Sequence, residues 1–192
     1  MSKLTPSVRE VLVSLKEAGD VVQIERRIRD ADVSRGVVVG VGPDWVLVQA
    51  VDWDTILNGY SAVRIDDVLD ITVVDDGGPE SFPVRALRYF KQTPRFPEGV
   101  DLSTLQNLLS SAANVFHLVT IHTEWIDAAV CNIGQPTGSI SDRLTLREIT
   151  PQAIWEVSDQ PRSWDLKAIT QVEFGGRYEE ALFALSSTYN AS

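Results

Sequence analysis

The sequence predicts a mostly β fold with short helices, built as two tandem five-stranded small barrels, each preceded by an N-terminal helix. Three observations predict it. Asp66-Asp67-Val68-Leu69-Asp70-Ile71-Thr72-Val73 and Leu166-Lys167-Ala168-Ile169-Thr170-Gln171-Val172-Glu173-Phe174 are each a short turn feeding an alternating strand. Each runs into a Gly-Gly, at Gly77-Gly78 and Gly175-Gly176, and then into a helix-like stretch carrying Ala86-Leu87 or Ala181-Leu182. Each is also preceded by a helical stripe and a series of short β-rich segments. A period near half of the 192 residues means two units on one plan, not a solenoid of many short repeats.

The elements follow in order. Thr5-Pro6 suits a helix start, Val8, Val11, Leu12 and Leu15 recur at helical spacing, and Gly19 stops the helix. Val22, Ile24 and Ile28 alternate with polar residues as a half-buried strand. Val33 to Val41 is β-branched, and its glycines Gly36 and Gly40 permit sharp bending. Gly42-Pro43-Asp44 turns into Trp45 to Val51, Asn58-Gly59 signals a tight turn before Tyr60 to Ile65, and Asp70 to Val74 closes the set. Pro83 to Lys91 reads as a helix, and Pro94 and Pro97 mark a linker. A second helix is capped by Asp101 or Ser103, with Leu105, Leu108, Leu109 and Ala112 as its stripe. Leu118 to Ile121, Ala128 to Ile133, Arg143 to Ile149, Ile154 to Val157 and Ile169 to Phe174 are the second set of strands, and a helix from Arg177 to about Ser187 ends the chain. The expected units are 1–91 and 102–192, joined by a linker at 92–101.

Composition sets bounds on function. No apolar run approaches the ~18 residues of a membrane-spanning helix. The N-terminal residues lack the apolar core of a secretion signal, and the single Cys131 fits a reducing cytoplasm. The net charge of −10 is uneven: 12 Lys/Arg face 15 Asp/Glu over residues 1–95, and 5 face 12 over 96–192. Such a chain repels phosphate backbones, which argues against general nucleic-acid binding.

Gly59-Tyr60-Ser61-Ala62-Val63-Arg64-Ile65-Asp66-Asp67-Val68-Leu69-Asp70-Ile71, with Gly36 to Val48 before it, resembles the Sm pattern of a glycine, aliphatics, an Arg-Gly turn and an aliphatic strand. Ile65 stands where that pattern has its turn glycine, and Val46 and Leu47 stand where Sm proteins carry base-reading Asp and Asn. Phe174-Gly175-Gly176-Arg177-Tyr178-Glu179-Glu180-Ala181-Leu182 is similar to the end of uncharacterised bacterial proteins with such barrels. The resemblance implies tandem Sm-like barrels, and as one function RNA binding through Arg26, Arg27 and Arg64.

Residue chemistry offers little else. His117 and His122, five apart on a strand, point to opposite faces, so a metal site or small metal-dependent hydrolase with Cys131 would need a bulge. Asp52-Trp53-Asp54 fails the calcium-loop pattern, because Ile56 and Val63 fall where oxygen ligands are required. Asp66-Asp67 and Asp75-Asp76 flank turns, where Asp bonds nearby backbone. Gly36, Gly40 and Gly42 lack the Lys-Ser/Thr of a phosphate loop, and no nucleophile elbow is present. No catalytic residue, metal or cofactor is therefore expected. The basic clusters at Arg26-Arg27-x-Arg29 and Arg85-x-x-Arg88-x-x-Lys91 read as solvated faces or docks for the acidic second unit. Trp53, Ile56 and Leu57, before Asn58-Gly59, are either core or a partner-binding patch. The leading expectation is a non-catalytic cytoplasmic protein-interaction or adaptor module, with an unidentified protein partner, no membrane association and self-association left open.

Overall fold

The computed structural model describes residues 6–75, 77, 80–140, 142–157 and 162–186. Its strands are β1 (Val21–Arg26), β2 (Ser34–Val41), β3 (Trp45–Val51), β4 (Leu57–Arg64), β5 (Val68–Val73), β6 (Val119–His122), β7 (Cys131–Ile140), β8 (Arg143–Glu148), β9 (Ser163–Asp165) and β10 (Gln171–Phe174). The helices are α1 (Val8–Ala18), α2 (Phe82–Tyr89), α3 (Leu105–Phe116) and α4 (Arg177–Ser186).

All ten strands form one antiparallel sheet in the order β5-β1-β2-β3-β4-β10-β6-β7-β8-β9. The expectation of two closed barrels is therefore corrected: the sheet is open and continuous. The physical reason lies at the seam. β4 spends its free edge on β10, with Val63 opposite Gln171 and Tyr60 opposite Phe174, rather than on β5 of its own half.

The internal repetition is nonetheless visible in the strand order. In each half the last strand flanks the first, and the first four follow in sequence. Details repeat as well. Gly36 on β2 faces Val22, and Gly134 on β7 faces Val119. A Cβ at either glycine would overlap a carbonyl oxygen of the next strand, of Gln49 or of Arg147. Each glycine is followed by a register shift, between Val38 and Gly40 and between Pro136 and Gly138. The 3-10 turns at Ile65–Asp67 and Leu166–Ala168 are tethered alike: the Ile65 N–H donates to the Asp44 carbonyl and the Leu166 N–H to the Asp142 carbonyl, both at 2.8 Å.

The ends of the elements follow local chemistry. Ser7 caps α1 in a reciprocal capping box with Glu10, and Gly19 ends it in the left-handed region. Thr5 lies outside the described residues. Thr104 caps α3 through the Asn107 N–H, one residue beyond the expected Ser103. The fourth strand of the second half is Ser163–Asp165, not Ile154 to Val157. Ile154 and Val157 are exposed, and only an isolated bridge joins Trp155 to Ile149.

The main core draws on both halves. Leu47, Tyr60 and Ala62 pack with Ile121, Val172, Phe174 and the α3 residues Leu108, Leu109 and Ala112. The larger of these, the Leu, Ile, Val and Phe side chains, contribute about 1.5–3 kcal/mol each on burial, so the seam is core and not a hinge. Val100 and Leu102 are buried in the same core, so the irregular segment before α3 is anchored rather than a free tether. Smaller clusters lie under α1 (Leu12), α2 (Leu87) and α4 (Leu182). No helix among the described residues is long and apolar enough to cross a membrane.

Candidate binding cleft at the seam

Strand alternation gives the seam two unlike faces. On one, Tyr60, Ala62, Val172, Phe174 and Ile121 enter the core. On the other stand their neighbours, and register sets them side by side: Ser61 opposite Glu173, Glu173 opposite Thr120, Gln171 opposite His122, and His122 opposite Cys131. A polar band therefore runs across β4, β10, β6 and β7 over an apolar floor.

This band lines a cavity of about 430 Å³, with Ser34, Arg35, Val51, Asp52 and Trp53 on the first-half side and Glu124 and Val130 on the other. A neighbouring cavity of about 290 Å³ shares Asp52, Ser61 and Glu173 with it and extends to Glu179 at the start of α4. Together they form one cleft along the seam.

The cleft is wired by hydrogen bonds. Gln171 Nε2 donates to Glu173 Oε1 at 2.6 Å, and His122 Nε2 lies 3.2 Å from Glu173 Oε2. Burial alone would push the Glu173 carboxyl up. The hydrogen bond and charge of His122, the Gln171 amide and the Arg26 charge outweigh it and hold the carboxyl below its ordinary value. Glu124 is buried against Arg26, whose two terminal nitrogens bond both of its oxygens, and it accepts from Thr170 Oγ1 at 2.7 Å. At the mouth, Trp53 is 83% exposed and Arg35 lies over its ring, 5.0 Å from the centroid. The Arg35 guanidinium donates to the carbonyls of Val51 and Asp52 at 2.8 and 2.9 Å.

Three residues of the cleft wall each hold a buried side-chain atom with no hydrogen-bond partner among the described residues: Ser34 Oγ, Ser61 Oγ and Gln171 Oε1. The residues are only 7%, 5% and 5% exposed. Buried polar atoms are nearly always paired, so three orphans on one cavity wall mark a place where hydrogen bonding is unfinished.

The row Cys131, His122, Glu173 has the order of a nucleophile, a base and its orienting carboxylate. Its electrostatics run the other way. Desolvation first, then the charges of Glu173 and Glu179, push the Cys131 thiol up. An activated cysteine needs positive neighbours that lower its pKa.

The residues singled out from the sequence scatter. Trp53 reaches the cleft mouth, whereas Leu57 packs beside the small core of Val21, Val37, Val51 and Leu87, and Ile56 is half-buried. Arg26 is consumed by Glu124, Arg27 donates to the Val68 carbonyl, and Arg64 donates to the carbonyls of Lys167 and Ile169 and lies over Trp45. Of the three, Arg26 is buried and paired with a carboxylate, whereas Arg27 is exposed and Arg64 half-buried, and each of these two bonds only backbone carbonyls among the described residues. His117 stacks on Phe183, 4.2 Å between ring centroids, apart from the polar band that holds His122. Among the described residues, no three His, Cys, Asp or Glu side chains are grouped to hold a metal ion.

Asn58-Gly59 does not turn the chain: both lie within β4, and the reversal comes at Asp52 to Ile56. Gly59 adopts φ +69°, and its missing Cβ lets the Gly176 backbone approach, while Asn58 Oδ1 accepts from the Arg177 N–H at 2.9 Å. The pair docks α4 at the seam.

Ser34, Ser61, Gln171, Glu173 and Glu124 were not singled out as site residues from sequence, and Asp52 was weighed there only beside Trp53. The available signal was the polar half of each strand's alternation. Only strand pairing brings those halves together.

No family model matches this chain, and neither a curated protein nor a solved structure does.

Proposed function

We propose that this chain is a non-catalytic binding module of adaptor type whose ligand occupies the seam cleft beneath Trp53. The observation that carries the reading is that Ser34, Ser61 and Gln171, each holding a buried side-chain oxygen without a hydrogen-bond partner among the described residues, all line one cavity. Each such atom costs about 1–3 kcal/mol if left unsatisfied, so a ligand toward which these side chains turn recovers part of that cost. The cavity volume falls within the ~300–1,000 Å³ usual for small-molecule sites. The thiol pushed up by desolvation and then by its carboxylate neighbours supports binding rather than nucleophilic chemistry. The repeated strand order, glycines and tethered turns support the Sm-like resemblance, as two such units joined edge to edge in one open sheet.

The test is a small-fragment set titrated into ¹⁵N-labelled protein. At least one fragment is expected to shift the amides of Ser34, Ser61 and Gln171 together. A set that shifts none of them, or that clusters its shifts on another surface, removes the cleft as the functional site.

A further inference from the structure

We propose that the ligand of the seam cleft is a small free organic cation, an alkylammonium whose N–H groups meet Glu173 and Asp52, with the Gln171 carbonyl turned toward them, while its carbon chain lies toward Trp53. The inference rests on the reading of the cleft as a binding site and adds its chemistry.

The first argument is charge. The larger cavity is lined by Asp32, Asp52, Glu124 and Glu173 against a single arginine, Arg35. Glu124 is already matched by Arg26, and Arg35 is fastened to the carbonyls of Val51 and Asp52. Asp52 and Glu173 face the cleft, Asp52 accepting from the Asn58 amide at 3.1 Å and Glu173 from the Gln171 amide, with His122 3.2 Å from its other oxygen. The adjoining cavity adds Glu179. An anion entering here would meet like charges in a partly desolvated site, and a cation would meet opposite ones.

The second argument is hydrogen-bond polarity. Gln171 spends its amide N–H on Glu173 and leaves its carbonyl oxygen unpartnered, so that wall asks for a donor. The Ser34 and Ser61 hydroxyls can accept as well as donate. An ammonium is all donor, and charge-assisted bonds to carboxylates are the stronger kind. The third is shape. Ala50, Val51, Val130 and the exposed Trp53 ring give the same cavity apolar walls, and an aromatic face attracts a cation.

The experiment compares three probes of similar length on the full chain: 1,4-diaminobutane, neutral 1,4-butanediol and dianionic glutarate. Amide shifts at Ser34, Ser61, Gln171 and Glu173 are the readout. The diamine is expected to saturate these shifts, with the diol about tenfold weaker or more and glutarate without effect. Asp52→Asn and Glu173→Gln, each checked for an unchanged fold by its amide spectrum, should each weaken the diamine and not the diol. A diol or glutarate that binds as well as the diamine overturns the cation assignment and leaves the cleft standing. A lysine-containing peptide that binds where the free diamine does not overturns the small-molecule source. If none of these probes shifts the four amides, the cation assignment falls, and the fragment set decides whether the cleft falls with it.

Discussion

Arg26 and Glu124, 98 residues apart in sequence, form a buried two-pronged ion pair, their side chains 0% and 3% exposed. Arg26 ends β1 and Glu124 follows β6, and four strands lie between them in the sheet. The contact requires the open sheet to curl until its first half reaches across to its second. It fixes the wall of the cleft, because Glu124 also takes the Thr170 hydroxyl and Thr170 leads into β10.

Breaking that pair from either side should therefore unfold rather than merely loosen the protein. Arg26→Ala or Glu124→Ala is expected to cost about 3–5 kcal/mol, because each leaves a buried charge alone. The double change Arg26→Met with Glu124→Leu should cost much less. Chemical denaturation measures all three. Single variants as stable as the wild type would falsify the claim that the pair sets the curl.

Trp53 stands in solvent apart from its contact with Arg35. Trp53→Ala should lower stability by no more than about 1 kcal/mol, the scale of an exposed cation–π pair. The same change should weaken any ligand of the cleft. A thermal melt reports the first effect and the amide titration the second. A loss of several kcal/mol would return Trp53 to the core.

Cys131 is exposed as a residue, yet its thiol is pushed up by desolvation and by Glu173 and Glu179. Alkylation near neutral pH should be slow, with its midpoint above that of a free thiol. Glu173→Gln removes one of the anions and should move the midpoint down. Rates of iodoacetamide labelling across pH measure both. Fast labelling of the wild type at neutral pH would reopen a nucleophilic role.

Glu173 has a carboxyl held below its ordinary value in the fold. Its contribution to stability is therefore present above the unfolded carboxylate pKa of about 4.3 and is lost as pH falls through the lower folded value. Melting temperatures should fall more steeply for the wild type than for Glu173→Gln below about pH 4.3. Parallel curves would show that Glu173 is not coupled to folding.

Gly59→Ala tests the docking of α4. The new Cβ would come 2.6 Å from the Gly176 nitrogen, on a backbone at φ +69°. A cost of about 1–3 kcal/mol is expected, with faster hydrogen exchange in α4 than in the rest of the chain. A neutral substitution would mean that the seam can open without loss.

The sequence by itself determined the local order of this protein. Alternation in Trp45 to Val51 and Gln171 to Phe174, the stripe of α3 and the two turn-strand-glycine segments each state their structure within a few residues, because side-chain period and backbone preference are local. The same locality explains the misses. Ser163–Asp165 is too short to show a period, and Asn58-Gly59 has the chemistry of a turn but was placed by α4 as a docking point in a strand. Whether two five-stranded units close on themselves or fuse was decided only in three dimensions, by which edge β4 finds. So was the cleft. Ser61, Gln171, Glu173 and His122 each look like the ordinary solvent face of a strand, and they became one polar band because pairing across β4, β10 and β6 set those faces edge to edge, with the Arg26–Glu124 pair closing one wall of the cleft.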